Sequence, residues 1–235
     1  MAKIPLWKEI ADLIMQDIAG EQYAPGDKLP TEAEFAERFG VNRHTVRHAI
    51  SALVDDGIVY TRRGSGAFVT TKPIRYSVGK RVRFHQAVSA SGHDADKRIL
   101  NLSTRPADSE ERAALDLPKS TQVHVAEGLG YIDGVPVTHF LSVFPADRLP
   151  EILTYLSENS SVTDAFRACG ISDYTRKSTR LTAVAANATT AAHLNLRPGA
   201  ALLRSIGINV DPDGTPIEYG RTWFSGNHVE LTIDG

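Results

Sequence analysis

From Asn42 to Leu53 the chain can only be a helix with one apolar and one basic side, and that constraint fixes what surrounds it. Asn42 is a good N-cap, and Val46, Ala49, Ile50 and Leu53 recur at the 3.6-residue spacing that buries one stripe. The other stripe carries Arg43, His44, Arg47, His48 and Ser51, with no acidic residue among them. Arg43 and Arg47 stand one turn apart, so their guanidiniums project together, an arrangement that suits phosphate oxygens and the acceptor edge of guanine.

The residues before it make this helix half of a motif. Thr31 and Glu34 form a capping box that opens a helix whose inner face is Phe35, Ala36 and Phe39, and Gly40 supplies a left-handed turn residue. Helix, tight turn, helix follows, with the second helix as the reader. Beyond it, Gly57 to Val69 reads as two short strands around a basic, glycine-rich tip of Arg62, Arg63, Gly64, Ser65 and Gly66, a winged hairpin whose arginines lie along phosphates or enter a groove. A first helix, Trp7 to Ala19, is expected to give Trp7, Ile10, Leu13, Ile14 and Ile18 to the shared core. Each piece alone is an ordinary surface helix or turn; their conjunction predicts a double-stranded DNA reader.

Charge agrees with that reading locally rather than globally. The 235-residue chain has a formal net charge of -2. From Arg38 to Arg83, however, ten Lys and Arg face two acids, Asp55 and Asp56, a local excess of ten minus two, or +8. The single cysteine, Cys169, can form no internal disulfide, and no signal peptide or apolar run of membrane-spanning length is present, so a cytoplasmic protein with no membrane partner is expected.

The predicted domains are a winged helix-turn-helix over 1–71, a linker over 72–80 containing Pro73 and Gly79, and a second domain over 81–235. In the second domain strands are expected at 97–103, 122–132, 135–144, 174–184, 200–210, 215–225 and 229–233, with helices at 108–116, 147–157, 161–169 and 188–194. A repeat runs through it. Leu115, Leu117 and Gly128 recur as Leu194, Leu196 and Gly207, and Asp133, Gly134, Pro136 and Phe144 recur as Asp213, Gly214, Pro216 and Phe224, with one residue added at the turn. Two copies of helix, strand, Asp-Gly hairpin and strand predict an α+β domain with one antiparallel sheet and a crevice between the halves.

Pro5 to Lys8, Tyr23 to Glu32, Phe39 to Arg47 and Arg63 to Val69 resemble the GntR family of bacterial transcription regulators over residues 4–70. The resemblance implies base or phosphate contacts from Arg43, His44, Thr45 and Arg47 and from Arg63 and Gly64. Some relatives carry a basic residue where this chain has Ala33, so no contact is assigned there. Residues 80–235 are similar to the ligand-sensing domain of the HutC branch, the UTRA domain, with a chorismate-lyase-like fold. Gly79 to Gln86, His124 to Leu129, Asp173 to Ala183 and Gly207 to Phe224 look most like phosphonate-metabolism regulators of that branch. This implies a homodimeric repressor of an inverted-repeat operator, responsive to a phosphonate, phosphate or related oxyanion, without a cofactor.

The residues expected to hold that anion are Arg83, Phe84, His85, Ser161, Arg180, Tyr219 and Arg221. Arg83, Phe84 and His85 are carried over from the family, or else are linker charge that tracks DNA. Arg221 shares one strand face with Ile217, Tyr219 and Trp223 by period-2 alternation, and is an anion clamp, half of a salt bridge to Glu127 or Glu218, or an edge arginine reaching solvent. Ser161 opens a helix whose free N–H groups suit an oxyanion, or simply caps it. Sugar-phosphate-sensing relatives place arginines where this chain has Gly128 and Gly130, which argues against an amino-sugar phosphate. A carboxylate or sugar derivative is the alternative effector. The rival class is a chorismate-lyase-like enzyme, but no catalytic residue set, metal-spaced cluster or phosphate loop is legible among the scattered histidines His85, His93, His124, His139, His193 and His228.

Overall fold

Helix α1 (Leu6–Ala19) packs Ile10, Ala11 and Ile14 against α2 (Glu32–Phe39) and α3 (Arg43–Asp55). The computed structural model describes residues 5–62, 64–70, 73–77, 88 and 92–233. The chain divides into two units, Met1–Lys72 and Pro73–Gly235.

In the first unit each element starts and stops for a local reason. The Thr31 hydroxyl accepts from the Glu34 N–H while the Glu34 carboxylate takes the Thr31 N–H at 2.7 Å, a complete capping box. Gly40 has φ 65 and ψ 35, the left-handed conformation the turn needs, and Asn42 Oδ1 accepts from the Thr45 N–H at 2.9 Å to restart the chain as α3. Phe35, Val46 and Leu53 are fully buried between the helices. Strands β1 (Val59–Arg62) and β2 (Gly66–Val69) pair antiparallel with Arg62 opposite Gly66, and Leu29 and Val59 close the core beneath them. Two expectations for α1 need correcting. Leu13 is 44% exposed, because it stands off the stripe of Ile10, Ala11 and Ile14. Trp7 does not enter the core either; its ring stacks on His48, with centroids 4.3 Å apart.

The second unit is built on a six-stranded antiparallel sheet in the order β4-β5-β6-β9-β8-β7, comprising β4 (Ala95–Pro106), β5 (Gln122–Ile132), β6 (Val135–Pro145), β7 (Thr175–Ala185), β8 (Ala201–Val210) and β9 (Pro216–Ser225). The two repeats meet where β6 pairs with β9. Helices α4 (Ser109–Leu115) and α7 (Ala188–His193) occupy equivalent places in them, each led by a side-chain cap, Asp108 and Asn187. The first hairpin turns on Asp133 (φ 49) and Gly134 (φ 77), a two-residue turn matching strand twist. The second turn is longer, running from 211 to 215, and the Asp211 carboxylate accepts from the Asp213 and Thr215 N–H groups. Helices α5 (Ile152–Glu158) and α6 (Val162–Ala168) pack Ile152, Leu156 and Phe166 against Phe144 and Ile217. The helix expected from 147 begins only at Ile152, because Pro150 disfavours helical backbone in the residue before it. Beside the main sheet, β3 (Ile74–Ser77), within the expected linker, pairs parallel with β10 (Val229–Thr232). Among the described residues no helix is long and apolar enough to cross a membrane.

Candidate nucleic-acid interface and ligand cavity

The α3 face is solvent-exposed at Arg43, His44, Arg47 and His48, while Val46, Ala49 and Ile50 are buried behind it. Arg43 has no hydrogen-bond or ion-pair partner among the described residues, so it is available to a polyanion. Arg47 is not. Its Nε donates to Glu32 Oε1 at 2.8 Å and its Nη2 to Glu32 Oε2 at 2.6 Å. The expectation of an acid-free face therefore fails in three dimensions, because α2 brings Glu32 alongside α3. The Glu32 carboxyl is held below the ordinary carboxylate range, first by its hydrogen bond from Arg47 and against the opposing effect of burial. His48 is drawn aside by Trp7. Thr45 is committed to the cap, its hydroxyl bonding Asn42 Oδ1 at 3.0 Å.

At the wing, Gly64 (φ 76) and Gly66 (φ 106) take left-handed backbone that an L side chain would strain, and a Cβ on Gly64 would meet open space. Glycine is thus needed there for the turn, and the tip stays slim enough to approach a groove. Ser65 is exposed at that tip and Arg62 ends β1. Arg63, Arg83, Phe84 and His85 lie outside the described residues.

The second unit contains a cavity of about 600 Å³. Thr138, Phe140 and Ser142 of β6 and Glu218, Thr222 and Phe224 of β9 form its floor, Ser160, Ser161 and Thr163 one wall, and Lys97 and Arg176 enter from the edge strands β4 and β7. Glu218 is 8% exposed and accepts from the Ser142 hydroxyl and the Asn209 amide, both at 2.6 Å. Asn209 in turn accepts from Arg176 Nε at 2.7 Å. The terminal nitrogens of Arg176 have no partner among the described residues, and its guanidinium lies where a Cβ on Gly207 would stand. Burial pushes the Lys97 ammonium down from its ordinary range, opposed by the charge of Glu218.

Of the ligand residues expected from sequence that lie among the described residues, only Ser161 lines this cavity, and it also caps α6, accepting from the Asp164 N–H at 3.2 Å. Arg180, Tyr219 and Arg221 face the other side of the sheet, toward α4, and the expectation that they join Ser161 is corrected. Arg221 Nη2 donates to Glu111 Oε1 at 3.2 Å, a different carboxylate from the two considered, and the exposed Arg180 meets Glu110 at 3.4 Å. Tyr219 is buried against Val125 and Val143, its phenol pushed up to about 12 by burial and then by Glu110. Ile217 does not share their side, since a register shift opposite Asn209 and Val210 sends it to the Phe144 cluster.

The residues that sequence reasoning missed are Arg176, Lys97 and Glu218. A second register shift, between Arg176 and Ser178, explains the first: it turns Arg176 toward the cavity while Arg180, four residues on, points to α4. An unbulged strand would have put both on one face. Gly128, on β5, lies so close to the Arg98 carbonyl and the Phe140 ring that a Cβ would stand 2.5 Å from each. No arginine fits there without backbone movement.

Residues 6–69 match the bacterial regulatory proteins of the gntR family, and residues 90–230 match the UTRA domain. The chain belongs to the GntR family, as a regulator of the HutC type that joins a helix-turn-helix reader to a UTRA domain. An uncharacterised HTH-type transcriptional regulator of Rhizobium meliloti (strain 1021) is 34% identical over 232 residues, 98% of this chain and 95% of that protein. The mannosyl-D-glycerate transport/metabolism system repressor MngR of Escherichia coli (strain K12) is 30% identical over 160 residues, 68% of this chain and 67% of that one. The crystal structure of PhnF from Mycobacterium smegmatis superimposes with a TM-score of 0.67 at 26% identity, covering 96% of this chain and 98% of that chain. The protein is therefore a ligand-responsive transcriptional regulator that binds operator DNA and a small effector, and not an enzyme.

Proposed function

We propose that the chain is a cytoplasmic, homodimeric repressor of phosphonate uptake or metabolism genes, gripping an inverted repeat through two α3 helices and two wings, and that a phosphonate, phosphate or related oxyanion in the UTRA cavity modulates that grip. The observation that carries the effector reading is Arg176, anchored through Nε to Asn209 with its terminal nitrogens unpartnered among the described residues, in a cavity that also holds Lys97 and the hydroxyls of Ser160 and Ser161. A guanidinium fixed at one nitrogen is already oriented for an oxyanion, which it binds through paired N–H groups. The likeness to PhnF supports the phosphonate class.

A second reading, a sugar derivative, is favoured by the hydrogen-bonding floor of Ser142, Asn209 and Glu218 and by the likeness to MngR. Thermal shift separates the two, because whatever binds the native state raises its melting temperature. Phosphate, alkylphosphonates and aminoethylphosphonate are expected to stabilise the protein; stabilisation by carboxylates or neutral sugars alone overturns the phosphonate reading. Gly207→Ala drives a methyl group into the Arg176 guanidinium and is expected to abolish the shift at those ligand concentrations while leaving the apo melting curve near wild type.

Bound effector is expected to weaken operator affinity by about 5-fold to 150-fold, the range of typical allosteric coupling, and not to abolish it. A gel-shift titration with and without ligand reads this directly. Arg62→Ala, at the base of the wing tip, is expected to weaken binding to operator and scrambled DNA alike, with a shallower salt dependence.

A further inference from the structure

On the sheet face turned away from the cavity, three donors that the regulatory reading does not use come together. Glu127 of β5, His139 of β6 and His193 at the end of α7 each offer one ligand atom within 4.8 Å of the other two. His139 is 6% exposed, its ring stacked on Trp223 at 5.3 Å and tilted against His193 at 4.9 Å. Its Nε2 lies 2.8 Å from Glu127 Oε1, while its Nδ1 is buried with no hydrogen-bond partner among the described residues.

We propose that Glu127, His139 and His193 bind a first-row transition-metal dication of the zinc class. Two imidazoles and one carboxylate are the donor set such ions take, whereas magnesium and calcium prefer oxygen alone. A tetrahedral ion about 2.0 to 2.2 Å from each donor sets the donors roughly 3.3 to 3.6 Å apart, so the donors, now within 4.8 Å of one another, close on it by side-chain shifts of about 1 Å. His139 meets the ion through Nε2, which takes it in place of the Glu127 hydrogen bond and leaves the Glu127 carboxylate as a ligand beside it. Glu127 and His193 are half-buried, so the site has a route from solvent. A bound ion would tie α7 to the β5-β6 hairpin.

The test uses full-length, tag-free protein stripped with chelator and titrated with Zn²⁺ by calorimetry, alongside melting curves. One zinc per chain and a raised melting temperature are expected, with no response to Mg²⁺. His193→Gln and His139→Gln should each weaken zinc binding at least tenfold, while His93→Gln, at the separate His93–Asp133 pair, should leave it unchanged. His193 is half-buried on a helix end, so its variant folds even if the buried His139 variant does not. Absence of zinc binding by the wild type, or equal binding by His193→Gln, overturns the proposal and makes the cluster a plain hydrogen-bonded pair beside a third ring. Neither result bears on the effector cavity, which lies across the sheet.

Discussion

Glu111→Ala is expected to cost the second domain about 3 kcal/mol, read as a lower urea midpoint with an unchanged slope. Glu111 is fully buried at the start of α4 and serves three partners. Arg105 grips it with two nitrogens at 2.7 and 2.6 Å, Arg221 reaches it at 3.2 Å, and the Asp108 N–H closes the helix cap on it at 3.0 Å. Removing the carboxylate leaves two guanidiniums facing each other and one helix-start donor unpaired. Losing one partner of a buried ion pair costs about 3 to 5 kcal/mol; Arg105 and Arg221 both keep contact with water, which places this site at the low end. The pH dependence has a definite sign. Burial alone would raise the Glu111 pKa, but the Arg105 hydrogen bonds, the Asp108 N–H and both guanidinium charges together hold it below the ordinary range. Its contribution is thus complete above the unfolded-state value of about 4.3 and is lost as pH falls through the folded one. The stability gap between wild type and Glu111→Gln should narrow on acidification below that value; a constant gap down to pH 3 would contradict it.

Arg47→Ala is expected to lower affinity for operator by about 5-fold to 150-fold while changing affinity for scrambled DNA much less, the signature of a lost guanine contact. Equal losses on both DNAs would show that Arg47 acts only through phosphates. The structure adds Glu32 to this test. In the free chain both oxygens of Glu32 are spent on Arg47, so a two-nitrogen contact to guanine requires that exposed pair to open. Exposed pairs are weak and easily exchanged. Glu32→Gln removes a negative charge from the face that meets the duplex, and is expected to raise affinity for scrambled DNA severalfold and so to narrow the margin between operator and random sequence. A competition gel shift over a salt series measures both variants; unchanged discrimination in Glu32→Gln would mean that the carboxylate stands clear of the duplex.

The reader domain was almost wholly legible. Capping residues, a left-handed glycine and a 3.6-residue stripe are local signals, and the capping box, Gly40 and Asn42 all act within four residues of where they stand. What eluded the sequence there came from a neighbouring element: Glu32 reaching α3 from α2, and Trp7 capturing His48 from α1. In the second domain the repeat foretold paired hairpins, and β5 falls at its expected bounds. The ligand residues fared worse, because side-chain facing was inferred from strict alternation. One extra residue in a strand reverses that parity, and such bulges separate Arg176 from Arg180 and Ile217 from Tyr219.

The sequence by itself determined the elements, the two-part organisation, the basic stripe and the family, since these depend on residues close together in the chain or on motifs read whole. Only the tertiary structure decided which cations are free and which are neutralised. Arg47, read as a base contact, and Arg221, read as either an anion clamp or half of a salt bridge, each find a carboxylate from another element, while the less conspicuous Arg176 keeps its terminal nitrogens open among the described residues. Pairing of charges is settled by distances across the fold, with partners up to 110 positions apart in the chain, and no local pattern encodes it.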